Sequence, residues 1–536
     1  MATLKHVTPR VHPSAIPPLA WLSTFVALPV IVLFGAHVEL ADVTRVLSRQ
    51  STLRTSWFAV WMAAASVLIT FAVAMPATWL VGRFEFRGRA IVRAVSSVGF
   101  LLPSVVVSAA FLALLPEPVE TSIFAVLIAH AYFNIAVVMR VVAPRLETFD
   151  TQLVWAARTL GASTSRTITS IWWPAVRGAV VSAATVVFIY CFTSYAVVRT
   201  LGGPTLNTLE SDIAVRAYAI GDVGGAAVLS ALQAAMICAV IVLARSFAHD
   251  EDLGLRRTRS SLGRLTGSRR VVGMGVKIGT LLVVMCPIFA LVVASMRVGN
   301  QWSLGGWRAV ISDDVIGSTS PLRALWSSFR TAVVAGVLGI VLAISMSLSI
   351  SRLGVRGRWL DAIAVSPLLI SPVTLGLGLI VTFDESWYDW RGEWWFVAVV
   401  HSIVAFPLAV RSLVPSWRNV TPRLRDAAAV LGASPTRRLF DVDLRIVRPA
   451  VVAAVGLIVA VSLGEFGAAS MLSRSGAETL PVAIARLLDR TGDIVRSQAF
   501  VLATVLVFAC LAALLVIDVG GRQPRHSGKE SHAPRR

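Results

Sequence analysis

The chain has little charge for its length. Charged residues make up 15% of its 536 residues, whereas a typical soluble domain has about 25%. In contrast, 56% of the residues are hydrophobic, and the mean hydropathy is +0.75. This balance excludes an ordinary soluble enzyme. Because runs of about 20 apolar residues recur along the whole sequence, we predict an all-α polytopic membrane protein.

Cysteine is also scarce, and its spacing indicates neither a disulfide framework nor a metal site. The four cysteines lie inside apolar stretches without a CxxC pair. The net charge of +20 could suggest nucleic-acid binding, but the basic residues do not alternate with the stacking aromatics that single-strand binding requires. We therefore expect no nucleic-acid partner, no metal and no cofactor bound by this chain.

Twelve apolar runs are long enough to span a bilayer. They lie near 18–38, 57–81, 91–115, 121–143, 178–198, 225–246, 271–296, 329–350, 359–382, 394–414, 450–470 and 497–518. Most lysines and arginines fall on the cytoplasmic side if the N-terminus is cytoplasmic. The sequence thus predicts a multi-pass plasma-membrane protein with about twelve transmembrane helices and both termini in the cytoplasm.

The predicted spans form two units of six, separated by a long polar segment. The boundaries that we assign are a cytoplasmic N-terminal tail at 1–17, a first unit at 18–247, a cytoplasmic linker at 248–270, a second unit at 271–518 and a cytoplasmic tail at 519–536. An offset of 271 residues aligns polar positions of the two units, for example His130 with His401. Because each unit has an even number of spans, we predict two parallel six-helix repeats with a pathway between them.

Each repeat contains a polar segment with a glycine and, two residues later, a serine. Gly161 and Gly432 suit the left-handed position that ends a helix, while Ser163 and Ser434 suit the N-cap of a second helix. We therefore predict two short helices that meet at a glycine elbow. Two such elbows on one face favour a docking site for a two-fold partner, and a structural helix hairpin is the alternative.

The segments at about 150–176 and 421–448 resemble the EAA motif of binding-protein-dependent ABC importer permeases: Glu-Ala-Ala, three residues, Gly, nine residues, Ile, one residue, Leu-Pro. The matching residues are Ala156, Ala157, Gly161, Ile171 and Pro174 in the first copy and Asp426, Ala427, Ala428, Gly432, Val442 and Leu444 in the second. Trp155 replaces the acidic residue of the first copy, and Arg445 replaces the proline of the second. The resemblance implies a fused, double-length permease whose two loops couple it to a cytoplasmic ATPase.

The same resemblance implies the partners, which are a homodimer of cytoplasmic ABC ATPase subunits and an extracytoplasmic substrate-binding protein. The chain has only three lysines, and none of them lies in a G-x-x-x-x-G-K-[ST] phosphate loop. We therefore expect ATP and Mg²⁺ to bind the partner ATPase. This chain is expected to be a transport subunit and not an enzyme.

Two stretches bear on the solute. "AHAYFNIAVVMR" at 129–140 resembles thiamine permeases, and "SLGEFGAASMLSR" at 462–474 is similar to thiamine and iron permeases alike. The resemblance implies thiamine first, ferric iron next and other small solutes after them.

Glu465 is the most informative polar residue of the predicted spans. A carboxylate at membrane depth beside Phe466 suits the passage of a cation, and a helix-end carboxylate near the outer interface is the alternative. The repeat equivalents of Glu465 and Phe466 are Ser194 and Tyr195. We predict that these four residues line the pathway asymmetrically.

Two further symmetric pairs lie in the predicted spans. His130 and His401 lack a second ligand three or four residues away, so we expect satisfied intramembrane histidines and not a metal pair. Pro103 and Pro372 interrupt the third and ninth predicted spans, which favours helices kinked at a pathway or adjusted for packing.

An ion-coupled secondary transporter is the main functional alternative, since it could also have twelve spans and a parallel repeat. Such a carrier predicts carboxylates in several spans and no repeated cytoplasmic elbow. The sequence has essentially one such carboxylate and has the elbow twice. We therefore favour an ATP-driven importer permease that works by alternating access.

Overall fold

The computed structural model describes residues 12–203, 206–247, 263–316, 320–383, 388, 390, 393–473 and 478–521. The two predicted tails lie largely outside these residues, and so does most of the predicted 248–270 linker. The described part is almost entirely helical, as the composition predicted. Its strands are the parallel pair Phe84–Glu85 with Gly263–Arg264 and the antiparallel pair Arg297–Val298 with Gln301–Trp302.

The helices follow the same order in both halves. In the first half the α-helices are Ile16–Leu22, Leu28–Ala36, Leu40–Leu47, Gln50–Arg83, Arg89–Ser96, Val98–Leu101, Ser104–Leu114, Glu117–Glu120, Ile123–Glu147, Thr151–Thr159, Thr164–Thr167, Trp173–Phe192, Tyr195–Leu201, Leu209–Val215 and Val223–Phe247. In the second half they are Ser268–Ser295, Gly305–Ile311, Pro321–Leu353, Arg358–Val365, Pro372–Phe383, Trp394–Arg418, Pro422–Val430, Pro435–Arg438, Leu444–Gly464, Gly467–Leu472, Leu480–Leu488 and Asp493–Gly521. Short 3₁₀ segments lie at Pro13–Ala15, Gly354–Gly357 and Ser366–Leu369, and π-helical segments lie at Ser23–Ala27, Ile168–Trp172, Arg216–Ile220 and Leu439–Asp443.

Ten of the described helical segments are long and apolar enough to cross a membrane, or eleven if one bent pair counts as a span. The sequence predicted about twelve, and the difference lies in the third and ninth predicted spans. The third is broken, because Arg89–Leu101 and Ser104–Leu114 meet at 102°. In the ninth, Pro372–Phe383 has only 12 residues, fewer than the roughly 20 that a spanning helix needs.

Proline causes both breaks. Pro103 cannot continue the hydrogen-bond ladder of the preceding helix, and Leu102 before it is extended, with ψ of 140°. In the second half Ile370 is extended, and Pro372 occupies the first turn of the next helix, where its missing N–H costs nothing. The predicted kinks at these prolines are therefore complete breaks, and both prolines line a central cavity.

The internal repeat is visible in the helix boundaries. Ile123–Glu147 and Trp394–Arg418 start and end 271 residues apart, which is the offset read from the sequence. The π-helical segments Ile168–Trp172 and Leu439–Asp443 keep the same offset. The duplication predicted from polar matches is therefore a structural duplication.

The first helix of each half packs against the opposite half. At the N-terminus, the Phe25 ring lies 5.9 Å from that of Phe383. A Cβ at Gly378 would lie 3.2 Å from the Pro29 carbonyl oxygen, so glycine permits this close approach. In the reciprocal contact, the Tyr132 hydroxyl donates to the Val284 carbonyl at 3.1 Å. The two halves are thereby interlocked, so the predicted six-helix units are not two separately packed bodies.

Candidate coupling elbows and central cavity

The first elbow follows from local sequence rules. The helix Thr151–Thr159 is followed by Gly161, which has a φ of +80°. The Ala162 N–H donates to the Ala157 carbonyl at 2.9 Å, closing the helix end. Ser163 then caps the next helix, because its hydroxyl accepts from the Arg166 N–H at 3.2 Å. The predicted glycine elbow is confirmed in this half.

The second elbow repeats this geometry. Gly432 also has a φ of +80°, and the Ala433 N–H donates to the Ala428 carbonyl at 3.0 Å. Ser434 accepts from the Arg437 N–H at 3.3 Å, and Pro435 occupies the first turn of the following helix. The equality of the two φ values shows that the duplication preserves the elbow itself.

Both elbows carry apolar side chains that nothing in the described chain covers. Leu160 is 88% exposed and Leu431 is 87% exposed. Of the residues that match the EAA motif, Ala156, Asp426 and Ala427 are exposed, while the others outside the glycines are half-buried. Trp155 in the first elbow and Val430 in the second are also exposed, at 66% and 88%, so each elbow presents more than one exposed apolar side chain, as interaction surfaces do.

The two elbows are attached to their membrane helices by different contacts. In the first, the Trp172 ring stacks on Phe149 with 3.9 Å between centroids, and the Arg83 guanidinium lies 5.0 Å from the Trp172 ring. In the second, the Arg425 Nε donates to the buried Asp443 carboxylate at 2.8 Å. Since Asp443 is the repeat equivalent of Trp172, the same position is held by stacking in one half and by an ion pair in the other.

A cavity of about 310 Å³ lies between the two halves. It is lined by all four predicted pathway residues, Ser194, Tyr195, Glu465 and Phe466. The rings of Tyr195 and Phe466 stack, with centroids 5.5 Å apart. Because these two residues are repeat equivalents, their contact marks where the pseudo-twofold axis passes between the halves.

Glu465 lies at the start of a short helix and also faces the central cavity. Its Oε1 accepts from the Ala468 N–H at 2.8 Å, in the first turn of the short helix Gly467–Leu472. The residue also lines the cavity and is only 8% exposed. The glutamate is thus both a helix-end carboxylate and a buried residue of the cavity wall.

Glu210 is a cavity-lining carboxylate that the sequence reasoning missed. It is fully buried, and its Oε2 accepts from the Gln233 Nε2 at 2.5 Å. The predicted spans leave its segment in the connection between 178–198 and 225–246, but the helix Leu209–Val215 turns inward. The sequence did contain one sign that this segment differs between the repeats. Thr-Leu precedes Glu210 in the first half and Pro481 in the second, so a carboxylate stands in one repeat where the other has a proline.

The two symmetric histidines each contact a serine. His130 Nδ1 lies 3.0 Å from the Ser66 hydroxyl, and His401 Nδ1 lies 2.9 Å from the Ser462 hydroxyl. Within the described ranges, no group of three or more His, Cys, Asp or Glu side chains could hold a metal ion. His130 lines the cavity.

An inter-half contact lies at the side of the cavity away from the elbows. A second cavity of about 210 Å³ lies there, and the Tyr195–Phe466 stack contributes to the walls of both cavities. At this second cavity the Arg199 guanidinium donates to the Asp489 carboxylate at 2.7 Å. We infer that the stack and the ion pair together close the cavity on the face opposite the elbows.

We predict that Asp489→Asn loosens this closure. The ion pair is about half exposed, so its loss should raise access to the cavity from that face by about fivefold at most. The measurement is the labelling rate of Ser194→Cys by a membrane-impermeant maleimide, with the exposed Cys238 and Cys286 replaced by alanine.

Asp42→Asn provides the control, because its pair with Arg45 is also partly exposed but lies within one half. An unchanged labelling rate in Asp489→Asn, or an equal rise in Asp42→Asn, would show that the Arg199–Asp489 pair does not guard the cavity.

These features define a class of protein: a polytopic solute permease with two matched halves, a cavity between them and a pair of exposed elbows on one face. The comparison with known families agrees. The model of the family described as binding-protein-dependent transport system inner membrane component matches residues 74–250 and again 335–520. The chain belongs to this family.

Several individual proteins are similar to the chain over most of its length. The thiamine transport system permease protein ThiP of Brucella abortus (strain 2308) is 26% identical over 498 residues, which are 87% of each chain. The proteins of the same name from Escherichia coli K12 and Salmonella typhimurium LT2 are each 25% identical and cover 73% of this chain and 72% of their own.

Membership of the family decides the general function. The chain is a multi-pass inner-membrane permease subunit of an ATP-driven importer, and it works with an ATPase and a substrate-binding protein. The double match confirms the fused, duplicated permease that the repeated elbow predicted. The ion-coupled secondary transporter is not favoured.

Proposed function

We propose that the chain forms the transmembrane pathway for thiamine. The observation that carries this proposal is the similarity to thiamine permeases across 87% of the chain. The central cavity supports it, because two carboxylates and several aromatic rings suit an organic cation. Ser194, Tyr195, Glu465 and Phe466 are the proposed pathway residues.

The two elbows are the proposed contacts with the ATPase. Each elbow would seat in one subunit of an ATPase homodimer, because the elbows are two copies of one structure and a homodimer offers two copies of one groove. The coupling residues are those that match the EAA motif. Loaded binding protein and ATP-bound ATPase would each favour a different access state, and the elbows would transmit that bias.

ATP and Mg²⁺ belong to the partner in this proposal, and the chain has no ATPase activity of its own. None of its three lysines lies in a phosphate loop. Both termini would lie in the cytoplasm, on the same side as the elbows, as the distribution of basic residues favours.

The test is solute uptake by proteoliposomes that contain the full chain, its ATPase and its binding protein. We expect ATP-dependent uptake of radiolabelled thiamine, and calorimetry should show that the binding protein binds thiamine and not ferric ion. Uptake of ferric iron without thiamine would assign the chain to the iron branch. Uptake of neither solute would refute both substrate assignments.

A further inference from the structure

The central cavity contains polar atoms whose hydrogen-bonding capacity the chain does not use. Three buried atoms of cavity-lining residues have no hydrogen-bond partner among the described residues, namely Glu210 Oε1, His130 Nε2 and Asn134 Oδ1. Buried polar atoms are rarely left unpaired in folded proteins. Three of them around one cavity indicate that something outside the chain supplies their partners.

The cavity also holds two buried carboxyl groups. Glu210 comes from the first half and Glu465 from the second, and within the described residues neither is in a salt bridge. Glu210 has hydrogen-bonding contacts with the Gln233 amide, the Ser371 side chain and the Val373 backbone. Glu465 has them with the backbone of Gly467 and Ala468. Two carboxylates in a low-dielectric site favour a cation between the halves.

Aromatic rings form one wall of the same cavity. The Phe100 ring lies 5.4 Å from that of Phe133 and 5.7 Å from that of Tyr190, centroid to centroid. All three residues line the cavity, and the Tyr195–Phe466 stack adds two more rings. Such a wall suits a flat, delocalised cation, because aromatic faces attract both ring systems and positive charge.

We propose that the central cavity is a binding site for a small, flat organic cation, and that Glu210 is its counter-ion. The proposal rests on the proposed function, since the cation is the solute in transit. A volume of about 310 Å³ is at the low end of small-molecule pockets, so the site admits a vitamin-sized solute and excludes an oligosaccharide. A trivalent metal fits poorly, because the described residues hold no group of three or more metal-binding side chains.

The site is asymmetric although the fold is duplicated. The repeat equivalent of Glu210 is Pro481, and that of Glu465 is Ser194. Each half therefore contributes one carboxylate at a position where the other half has none. An asymmetric solute would bind in one orientation, with its charge toward Glu210.

The test measures binding directly, in the complex of the full chain with its ATPase in lipid nanodiscs and without the binding protein. The probes are thiamine and thiochrome, which is an uncharged, flat oxidation product of thiamine. We expect thiamine to bind saturably and Glu210→Gln to weaken it by at least about tenfold, since the buried counter-ion is lost. Thiochrome affinity should change less than about twofold, because no ion pair is involved.

Two further variants control for misfolding and for general charge loss. Glu210→Asp keeps the charge and should restore part of the thiamine affinity. Glu85→Gln removes an exposed carboxylate outside the cavity and should bind thiamine like the wild type. All variants are compared at equal monodispersity in size-exclusion chromatography and equal ATPase content.

The outcomes distinguish a failure of the proposed cation site from a failure of the thiamine assignment. If the wild type takes up thiamine but Glu210→Gln binds and transports it equally well, the site is wrong and the thiamine assignment stands. If the wild type takes up no thiamine yet binds it in the Glu210-dependent way, the thiamine assignment fails and the cation site is supported. Equal loss of thiamine and thiochrome binding in Glu210→Gln would overturn the counter-ion role.

Discussion

Replacing both elbow glycines with valine is expected to abolish ATPase association and solute uptake while leaving the chain in the membrane. Gly161 and Gly432 have a φ of +80°, a conformation that costs a β-branched residue about 1–3 kcal/mol. A Cβ at either glycine would meet nothing within 4 Å, so the strain comes from the backbone and not from a clash. An exposed elbow can relieve that strain by changing its angle, which would move Leu160 and Leu431 away from the surface proposed to contact the ATPase.

The measurements are the amount of the variant in the membrane fraction, co-purification of the ATPase, and uptake in proteoliposomes. The double asparagine variant is the matched control, because asparagine adopts the left-handed conformation far more readily than valine does. It should keep most of the association and uptake. Full uptake in the double valine variant would refute the assignment of these loops as coupling elements.

The elbows could be predicted because their causes are local. A helix that ends at glycine and is followed by a second helix with a serine cap is specified by only a few neighbouring residues. The recurrence of this pattern 271 residues later distinguished it from chance. The apolar runs were equally informative, since a bilayer selects span length directly. In the elbows and in most of the spans, the structure therefore agrees with what neighbouring residues in the sequence predict.

The central site depends on tertiary packing, and only one of its two carboxylates could be predicted from the sequence. Glu465 stood out as a charge inside an apolar run, whereas Glu210 lies on a segment polar enough to resemble an outer loop. Only the inward fold of the helix Leu209–Val215 buries it beside Gln233. The breaks at Pro103 and Pro372 were uncertain for the same reason, because a proline in a membrane helix gives a kink or a break according to its neighbours.

Arg425→Ala is expected to destabilise the second elbow. Asp443 is 1% exposed, and Arg425 is its ion-pair partner at 2.8 Å, so removal of the arginine leaves a buried charge at a cost of about 3–5 kcal/mol. At that cost, the helix Pro422–Val430 should separate from the start of the membrane helix Leu444–Gly464. The measurements are faster hydrogen exchange over residues 422–443 and weaker co-purification of the ATPase.

The double variant Arg425→Leu with Asp443→Leu distinguishes the buried charge from a lost contact. The equivalent residues of the first half are Val154 and Trp172, so this fold already accommodates an apolar pair at the same place. The double variant should recover most of the exchange protection, and Val154→Ala should change the first elbow little. If Arg425→Ala exchanges like the wild type, the ion pair does not hold the second elbow. If it exchanges faster, the two elbows are held to their membrane helices by contacts of different chemistry, and salt should weaken the ion pair of the second more than the ring stack of the first.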